Sequence, residues 1–178
     1  MKYSKIKKYA IHILAVPALA KSVFDLPTNQ CALIVLTRRS NEFIESTSMK
    51  KIIVDIEDVE YKWARGAITG AHARMIITFI NNLPAEVTDL YVCCSKGCSR
   101  SPGCAAALLL MSGRSDKDVW LNPFYYPNTL VFGMICREFG IFMPWINVYL
   151  RRHINRIAYS LISKKHGKTK YERWQILN

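Results

Sequence analysis

Residues 91–104, YVCCSKGCSRSPGC, bring four cysteines and an arginine into one short segment of the chain. Cys94 and Arg100 are six positions apart, and the residues between them are small or polar. A cysteine thiolate can attack phosphorus, and a guanidinium group can bind two phosphate oxygens at once. The pair therefore predicts nucleophilic chemistry on a bound phosphate group.

The turn between Cys94 and Arg100 is suited to surround a tetrahedral anion. We predict that a strand ends at Cys93 and that a helix begins near Ser101, so that the backbone amides between them point inward. The positive end of the helix favours the thiolate form of a nearby cysteine, and a glycine can adopt the backbone angles that such a turn requires. The predicted phosphate-binding residues are Ser95, Lys96, Gly97, Cys98, Ser99 and Arg100.

A zinc site is the first alternative for a segment so rich in cysteine. Cys93, Cys94, Cys98 and Cys104 are too crowded to converge on one ion, because adjacent cysteines point in different directions and Cys104 would lie inside the helix. We therefore predict no metal. A redox role remains open, in which Cys93 or Cys98 traps oxidised Cys94 as a disulfide.

Four apolar runs of strand length occur in the first half of the chain, at residues 11–16, 31–36, 51–56 and 89–93. Between the third and fourth runs, TGAHARMIITFINNLP predicts an amphipathic helix that begins at Thr69 and ends before Pro84. The order strand, helix, strand implies a right-handed crossover. The predicted fold is α/β, with a central, mostly parallel β-sheet flanked by helices.

Additional helices are predicted towards the C-terminal end. SPGCAAALLLMSG continues from the loop as a helix, SDKDVWL forms a short helix with a capping box from Ser115 to Asp118, and TLVFGMICREFG forms a helix that stops near Gly140. A longer helix follows and carries an apolar stripe, which is predicted to dock onto the core, with a membrane surface as the alternative. The stripe consists of Ile146, Leu150, Ile154, Ile157 and Leu161.

The length of 178 residues and the ordinary composition predict a single domain over residues 1–163, followed by a basic tail over 164–178. The net charge of +12 resides at the two ends, since residues 9–150 carry thirteen Lys and Arg against twelve Asp and Glu. Nucleic-acid binding is therefore not favoured, although the basic termini leave it open. No apolar run is long enough to span a membrane, and the cysteine pattern favours a reducing cytoplasm.

The loop CSKGCSRS resembles the phosphate-binding loop of the protein tyrosine phosphatase superfamily, in the form found in dual-specificity and compact bacterial tyrosine phosphatases. VDIEDVEY, FINNLPAEVTDLYVCC and NPFYYPNTLVFGMICREFG resemble the compact bacterial members, so the similarity covers roughly residues 10–140. The resemblance implies a cofactor-independent hydrolase of phosphate monoesters that acts through a phosphocysteine intermediate. Its substrate would be a phosphorylated protein, in particular phosphotyrosine, or a small phosphomonoester.

The same resemblance implies roles for individual residues. Cys94 would be the nucleophile, Arg100 would bind the transferred phosphoryl group, and the Ser101 hydroxyl would stabilise the thiolate when it leaves. An acid on a loop after an earlier strand would protonate the leaving oxygen and then activate water. We predict Asp58 for this role, with Asp55 second, from the set Asp55, Glu57, Asp58 and Glu60.

Two residues depart from the family pattern. Cys93 occupies the position of a histidine that usually precedes the nucleophile, and Lys96 adds positive charge where many relatives have a small residue. A catalytically weak phosphate-recognition module that uses the same pocket is an alternative function of a different class. An RNA 5′-phosphate, an inositol phosphate or a lipid remains an alternative substrate.

Overall fold

Four parallel strands form the centre of the computed structural model, which describes residues 6–22, 25–37, 44 and 46–166. The strands are β1 (Ala10–Ala15), β2 (Cys31–Leu36), β3 (Lys50–Val54) and β4 (Asp89–Cys94), in the spatial order β1-β4-β2-β3. The predicted α/β fold is confirmed. Residues 167–178 of the predicted basic tail lie outside the described residues.

Six helices accompany the strands within the described part of the chain. They are α1 (Val16–Ser22), α2 (Gly70–Asn81), α3 (Arg100–Met111), α4 (Lys117–Leu121), α5 (Thr129–Phe139) and α6 (Trp145–His166). The sequence did not predict α1, and strand β3 ends two residues earlier than predicted. None of the helices among these residues is both long enough and apolar enough to cross a membrane.

The register of the sheet aligns the carboxyl ends of its central strands. Cys94, the last residue of β4, lies opposite Ala15 of β1 and Leu36 of β2. Every residue of β2 is buried, as expected of a continuously apolar strand that is covered on both faces of the sheet. The loop that follows Cys94 therefore starts at an edge of the sheet where neighbouring strands also end.

Each face of the sheet packs in a separate apolar cluster. Cys94 packs in the cluster that includes residues of α2, α3 and α5, whereas Cys93 packs in the cluster that includes Val16 and Leu19 of α1. Successive side chains of a strand point to opposite faces. The two adjacent cysteines are therefore separated by the sheet.

The start of α4 differs from the predicted capping box. Asp116 is the N-cap residue and makes no side-chain capping bond. Its carboxylate instead accepts hydrogen bonds from Trp120 Nε1 and Arg151 Nε, each at 2.9 Å. The box from Ser115 to Asp118 was therefore wrong, because a tertiary contact with α6 determines how this turn is satisfied.

The prediction that the stripe of α6 docks onto the core was also wrong. Ile146, Leu150, Ile154 and Ile157 are between 42% and 59% exposed, and the side chain of Leu161 lies outside the described residues. Arg151 and Arg152 attach the helix through ion pairs with Asp116 and Glu60, which turns the apolar side outward. Apart from its orientation, the stripe contains the four described residues that the sequence predicted.

Candidate active site

Cys94 lies at the bottom of the loop between β4 and α3. It is 2% exposed, and the helix begins at Arg100. The loop residues Ser95 and Lys96 are exposed, Gly97 is buried, and Cys98 and Ser99 are half-buried. The strand, loop and helix therefore have the predicted order, and all the predicted phosphate-binding residues lie in one turn.

Gly97 is required by two features of this turn. Its φ of +64° lies in the left-handed region that favours glycine, and a Cβ at this position would approach the Ala15 backbone nitrogen to 2.6 Å. The Gly97 N–H donates to Cys94 Sγ over 3.2 Å. The close approach of the loop to the end of β1 thus directs a backbone amide at the sulfur.

Ser101 supplies a second polar contact to the same sulfur. Its Oγ lies 3.2 Å from Cys94 Sγ, and the residue is completely buried in the first turn of α3. A hydroxyl and an amide at this distance stabilise negative charge on sulfur better than an apolar environment does. Cys94 is therefore surrounded by groups that suit a thiolate.

Arg100 is oriented by groups on both sides of its guanidinium. Its Nη1 donates to the Ile56 carbonyl over 2.6 Å, and its Nη2 donates to Ser95 Oγ over 3.1 Å. Thr37 Oγ1 lies 3.1 Å from the same Ser95 oxygen. The buried Arg100 Nε–H has no hydrogen-bond partner among the described residues, so one donor is left for a bound oxyanion.

Asp58 lies directly against the loop between β4 and α3. It is exposed, and its Oδ1 accepts a hydrogen bond from Ser99 Oγ at 2.7 Å. Asp55, the second candidate for the acid, is exposed and is the first residue after β3. Glu60 forms an ion pair with Arg152 at 2.7 Å. The structure therefore places the preferred acid at the mouth of the loop.

Asn128 connects Asp58 to the loop, a contact that the sequence did not predict. Its Nδ2 donates to Asp58 Oδ1 over 2.9 Å and to the Val59 carbonyl over 3.1 Å. Its backbone N–H donates to the Ser99 carbonyl over 3.0 Å, and its Oδ1 accepts from Val131 N at the start of α5. An asparagine before a helix was a visible capping signal, but its distant partners were not.

Tyr126 lies beside the loop and binds two arginines of α6. Its N–H donates to the Cys98 carbonyl over 2.6 Å, and its hydroxyl accepts from Arg152 Nη2 at 3.3 Å and Arg156 Nε at 2.9 Å. Burial raises the pKa of Tyr126, but the hydrogen bonds and charges of the two arginines outweigh it and lower the pKa. Two arginines of α6 are thus held beside Tyr126, next to the loop.

The remaining cysteines have unequal access to Cys94. Burial, followed by the charge of Cys94, raises the pKa of Cys93, which faces the other side of the sheet. Burial likewise raises the pKa of Cys104, and it raises that of Cys136 to about 12. Cys98 is half-buried within the loop. Of the two predicted redox partners of Cys94, Cys93 therefore lies on the opposite face of the sheet and Cys98 lies in the same loop.

No group of three or more His, Cys, Asp or Glu side chains within the described ranges is arranged to hold a metal ion. Cys94 and Cys93 face opposite sides of the sheet, Cys98 lies in the loop, and Cys104 lies inside α3.

No model of a known protein family matches the sequence, and no curated protein matches it significantly. Two solved structures are similar over most of the chain. Tk-PTP, solved in its active form, is 15% identical with a TM-score of 0.45, covering 87% of this chain and 95% of that one. PTPMT1, solved in complex with PI(5)P, is 13% identical with a TM-score of 0.43, covering 89% and 99%. Both similarities are too distant to carry an argument about function.

Proposed function

We propose that the chain is a cysteine-dependent phosphatase of the protein tyrosine phosphatase superfamily. The observation that carries this proposal is the environment of Cys94 Sγ, which receives the Gly97 N–H and lies 3.2 Å from the Ser101 hydroxyl. Arg100 follows in the same turn with an unpartnered donor among the described residues. A nucleophile, an anion-binding loop and a leaving-group stabiliser are thus combined in one strand-to-helix connection.

In the first step, the phosphoryl group binds in the loop, and the Cys94 thiolate attacks phosphorus. The S–P bond forms as the P–O bond to the leaving group breaks. Protonated Asp58 donates its proton to the departing oxygen. Arg100 and the loop amides stabilise the negative charge that the equatorial oxygens carry in the transition state.

In the second step, water attacks the phosphocysteine and releases inorganic phosphate. Asp58, now a carboxylate, accepts the proton from this water. The S–P bond breaks, and the Ser101 hydroxyl donates a hydrogen bond to the sulfur as it becomes a thiolate again. Both steps use only side chains and backbone amides of this chain.

The proposed substrate is protein phosphotyrosine, with dual specificity towards other protein phosphates, and the proposed location is the cytoplasm. The resemblance of CSKGCSRS to the loops of dual-specificity and compact bacterial tyrosine phosphatases supports this substrate. Exposed Lys96 and Arg156, near the loop and Tyr126, would favour acidic residues around the phosphorylated side chain.

Release of phosphate from an aryl phosphate tests the proposed function. We expect Cys94→Ser to abolish hydrolysis, because a serine hydroxyl in this site is a far weaker nucleophile than a thiolate. Cys31→Ala is the control, since Cys31 lies at the opposite end of the sheet and packs in the other cluster. A chelator should leave the wild-type rate unchanged. Hydrolysis by the Cys94→Ser protein at the wild-type rate would refute the mechanism.

A further inference from the structure

Helix α6 is attached to the body of the protein through its charged side. Arg151 Nε donates to Asp116 Oδ2 over 2.9 Å, and Arg152 Nη2 lies 2.7 Å from Glu60 Oε2. The side chains of the two arginines are only 27% and 28% exposed. The side of the helix that faces the body is therefore held by ion pairs.

The apolar side of α6 faces solvent. Ile146, Leu150, Ile154 and Ile157 are 42%, 50%, 48% and 59% exposed. Their spacings of four, four and three residues place them on one stripe about 80° wide at 3.6 residues per turn. Phe142, which precedes the helix, is 88% exposed. Scattered exposed apolar residues are ordinary, but a continuous stripe of this kind marks an interaction surface.

The charge of the helix indicates what covers this stripe. α6 contains five Lys and Arg residues and no Asp or Glu, and residues 151–178 carry eight basic residues against Glu172 alone. A second copy of the chain would bring two such helices together with like charges. An anionic surface would instead attract the helix and receive its apolar side chains.

We propose that α6 is an amphipathic anchor that binds the surface of an anionic lipid bilayer. The apolar stripe enters the boundary between headgroups and acyl chains, and the net positive charge of residues 151–178 attracts this end of the chain to the anionic headgroups. The helix lies on the surface rather than crossing the bilayer, since it is not apolar enough to cross. This binding does not depend on the proposed phosphatase function.

A pair of exposed aromatic residues lies in the segment that is paired with α6 through Glu60. Tyr61 and Trp63 are 63% and 78% exposed, and their rings stack with centroids 5.2 Å apart. They follow Glu60, whose ion pair with Arg152 brings this segment to the helix. Tyrosine and tryptophan favour the boundary between membrane and water because each ring has an apolar body and a polar edge.

Vesicle flotation of the full chain tests the anchor. We expect binding to vesicles of phosphatidylglycerol mixed with phosphatidylcholine, little binding to phosphatidylcholine alone, and weaker binding at high salt. The double variant Leu150→Glu and Ile157→Glu should lose at least about tenfold in the bound fraction, since it places two acids in the stripe. Met75→Glu is the matched control, because Met75 is 48% exposed on α2.

The folding of each variant is checked by its circular dichroism melting curve, and Leu150→Ala with Ile157→Ala gives a milder comparison with losses of about threefold or more. Absence of binding to the anionic vesicles at low salt would overturn the proposal. Unchanged binding by the glutamate variant would assign binding to charge alone and would also overturn it. A stable dimer that the glutamate variant converts to a monomer would assign the stripe to a second copy instead.

Discussion

The sulfur of Cys94 lies within hydrogen-bond distance of two groups, the Gly97 amide and the Ser101 hydroxyl. Both come from within seven residues of the cysteine, so the sequence alone could predict them as a group. Asp58 is different, because it reaches the loop only through the fold and contacts Ser99 across 41 positions of the chain. At the scale of single residues, the environment of the proposed nucleophile is therefore a local feature, and the position of the proposed acid is a tertiary one.

Replacing Asp58 by asparagine tests its proposed role as the acid. With phenyl phosphate, whose leaving group needs a proton, we expect turnover to fall by about 10²–10⁴-fold. Steady-state rates of the wild type and the variant measure this effect.

Asp55→Asn is the matched control for this experiment, since Asp55 is an exposed carboxylate on the same connection. An unchanged rate in Asp58→Asn, together with a large loss in Asp55→Asn, would transfer the role to Asp55.

At the scale of elements, three connections meet around the candidate site: the segment after β3, the loop after β4 and the start of α5. Asn128 contacts all three: Asp58 and Val59 after β3, Ser99 in the loop after β4, and Val131 in α5. The sequence predicted the strand and helix around Cys94 because their signals are contiguous. It could not predict the contacts of Asn128, because its hydrogen-bond partner Asp58 lies 70 positions away.

Replacing Asn128 by alanine should affect both catalysis and stability. We expect kcat to fall about tenfold with little change in KM, because Asp58 loses the side chain that positions it. The lost cap of α5 should lower the free energy of unfolding by about 1 kcal/mol. Enzyme kinetics and urea unfolding measure the two effects.

Thr69→Ala is the control for this variant, because Thr69 caps α2 and accepts from the His72 N–H at 3.3 Å. It should lose similar stability while keeping kcat. If the two variants lost kcat equally, the effect of Asn128 would be general destabilisation rather than positioning.

Replacing Gly97 by alanine should disable the loop. The new Cβ would meet the Leu14 and Ala15 backbone at less than 3 Å, so the amide directed at Cys94 must move. We expect a loss of activity of about 10²-fold or more, measured with an aryl phosphate.

Gly140→Ala is the control for this variant, because Gly140 also has a positive φ, +88°, but has open space around it. It should cost about 1 kcal/mol of stability and leave activity intact. Equal activity of the two variants would contradict the proposed geometry.

At the scale of the whole molecule, the same residues that attach α6 also determine which of its sides is exposed. The sequence predicted the apolar stripe but placed it against the core, because periodicity shows that a helix has an apolar side and not where that side points. The direction depends on Asp116 and Glu60, which lie on other elements. The central strands, in contrast, were predicted well. Every residue of β2 is buried, so its sequence is a continuous apolar run that can be recognised without knowledge of the fold.

The stability of the sheet should fall in acid through Asp89 at the start of β4. Hydrogen bonds from Thr88 and then His12 lower the pKa of Asp89, against the opposing effect of burial. A lowered pKa in the folded state gives stability that is present above the unfolded pKa and lost as pH falls through the folded one. Asp89→Asn should therefore reduce stability at neutral pH and weaken its decline in acid. Urea unfolding across pH measures this, and identical pH dependence in both proteins would contradict the account.

Detection of a phosphoryl group on Cys94 tests the central claim most directly. In Ser101→Ala, the thiolate loses the hydroxyl that lies 3.2 Å from it, so the second step should slow and the intermediate should accumulate. After rapid acid quenching with p-nitrophenyl phosphate, mass spectrometry should find one phosphoryl group on the peptide that contains Cys94. A working enzyme with no such adduct, or with the phosphoryl group on another residue, would contradict the proposed mechanism.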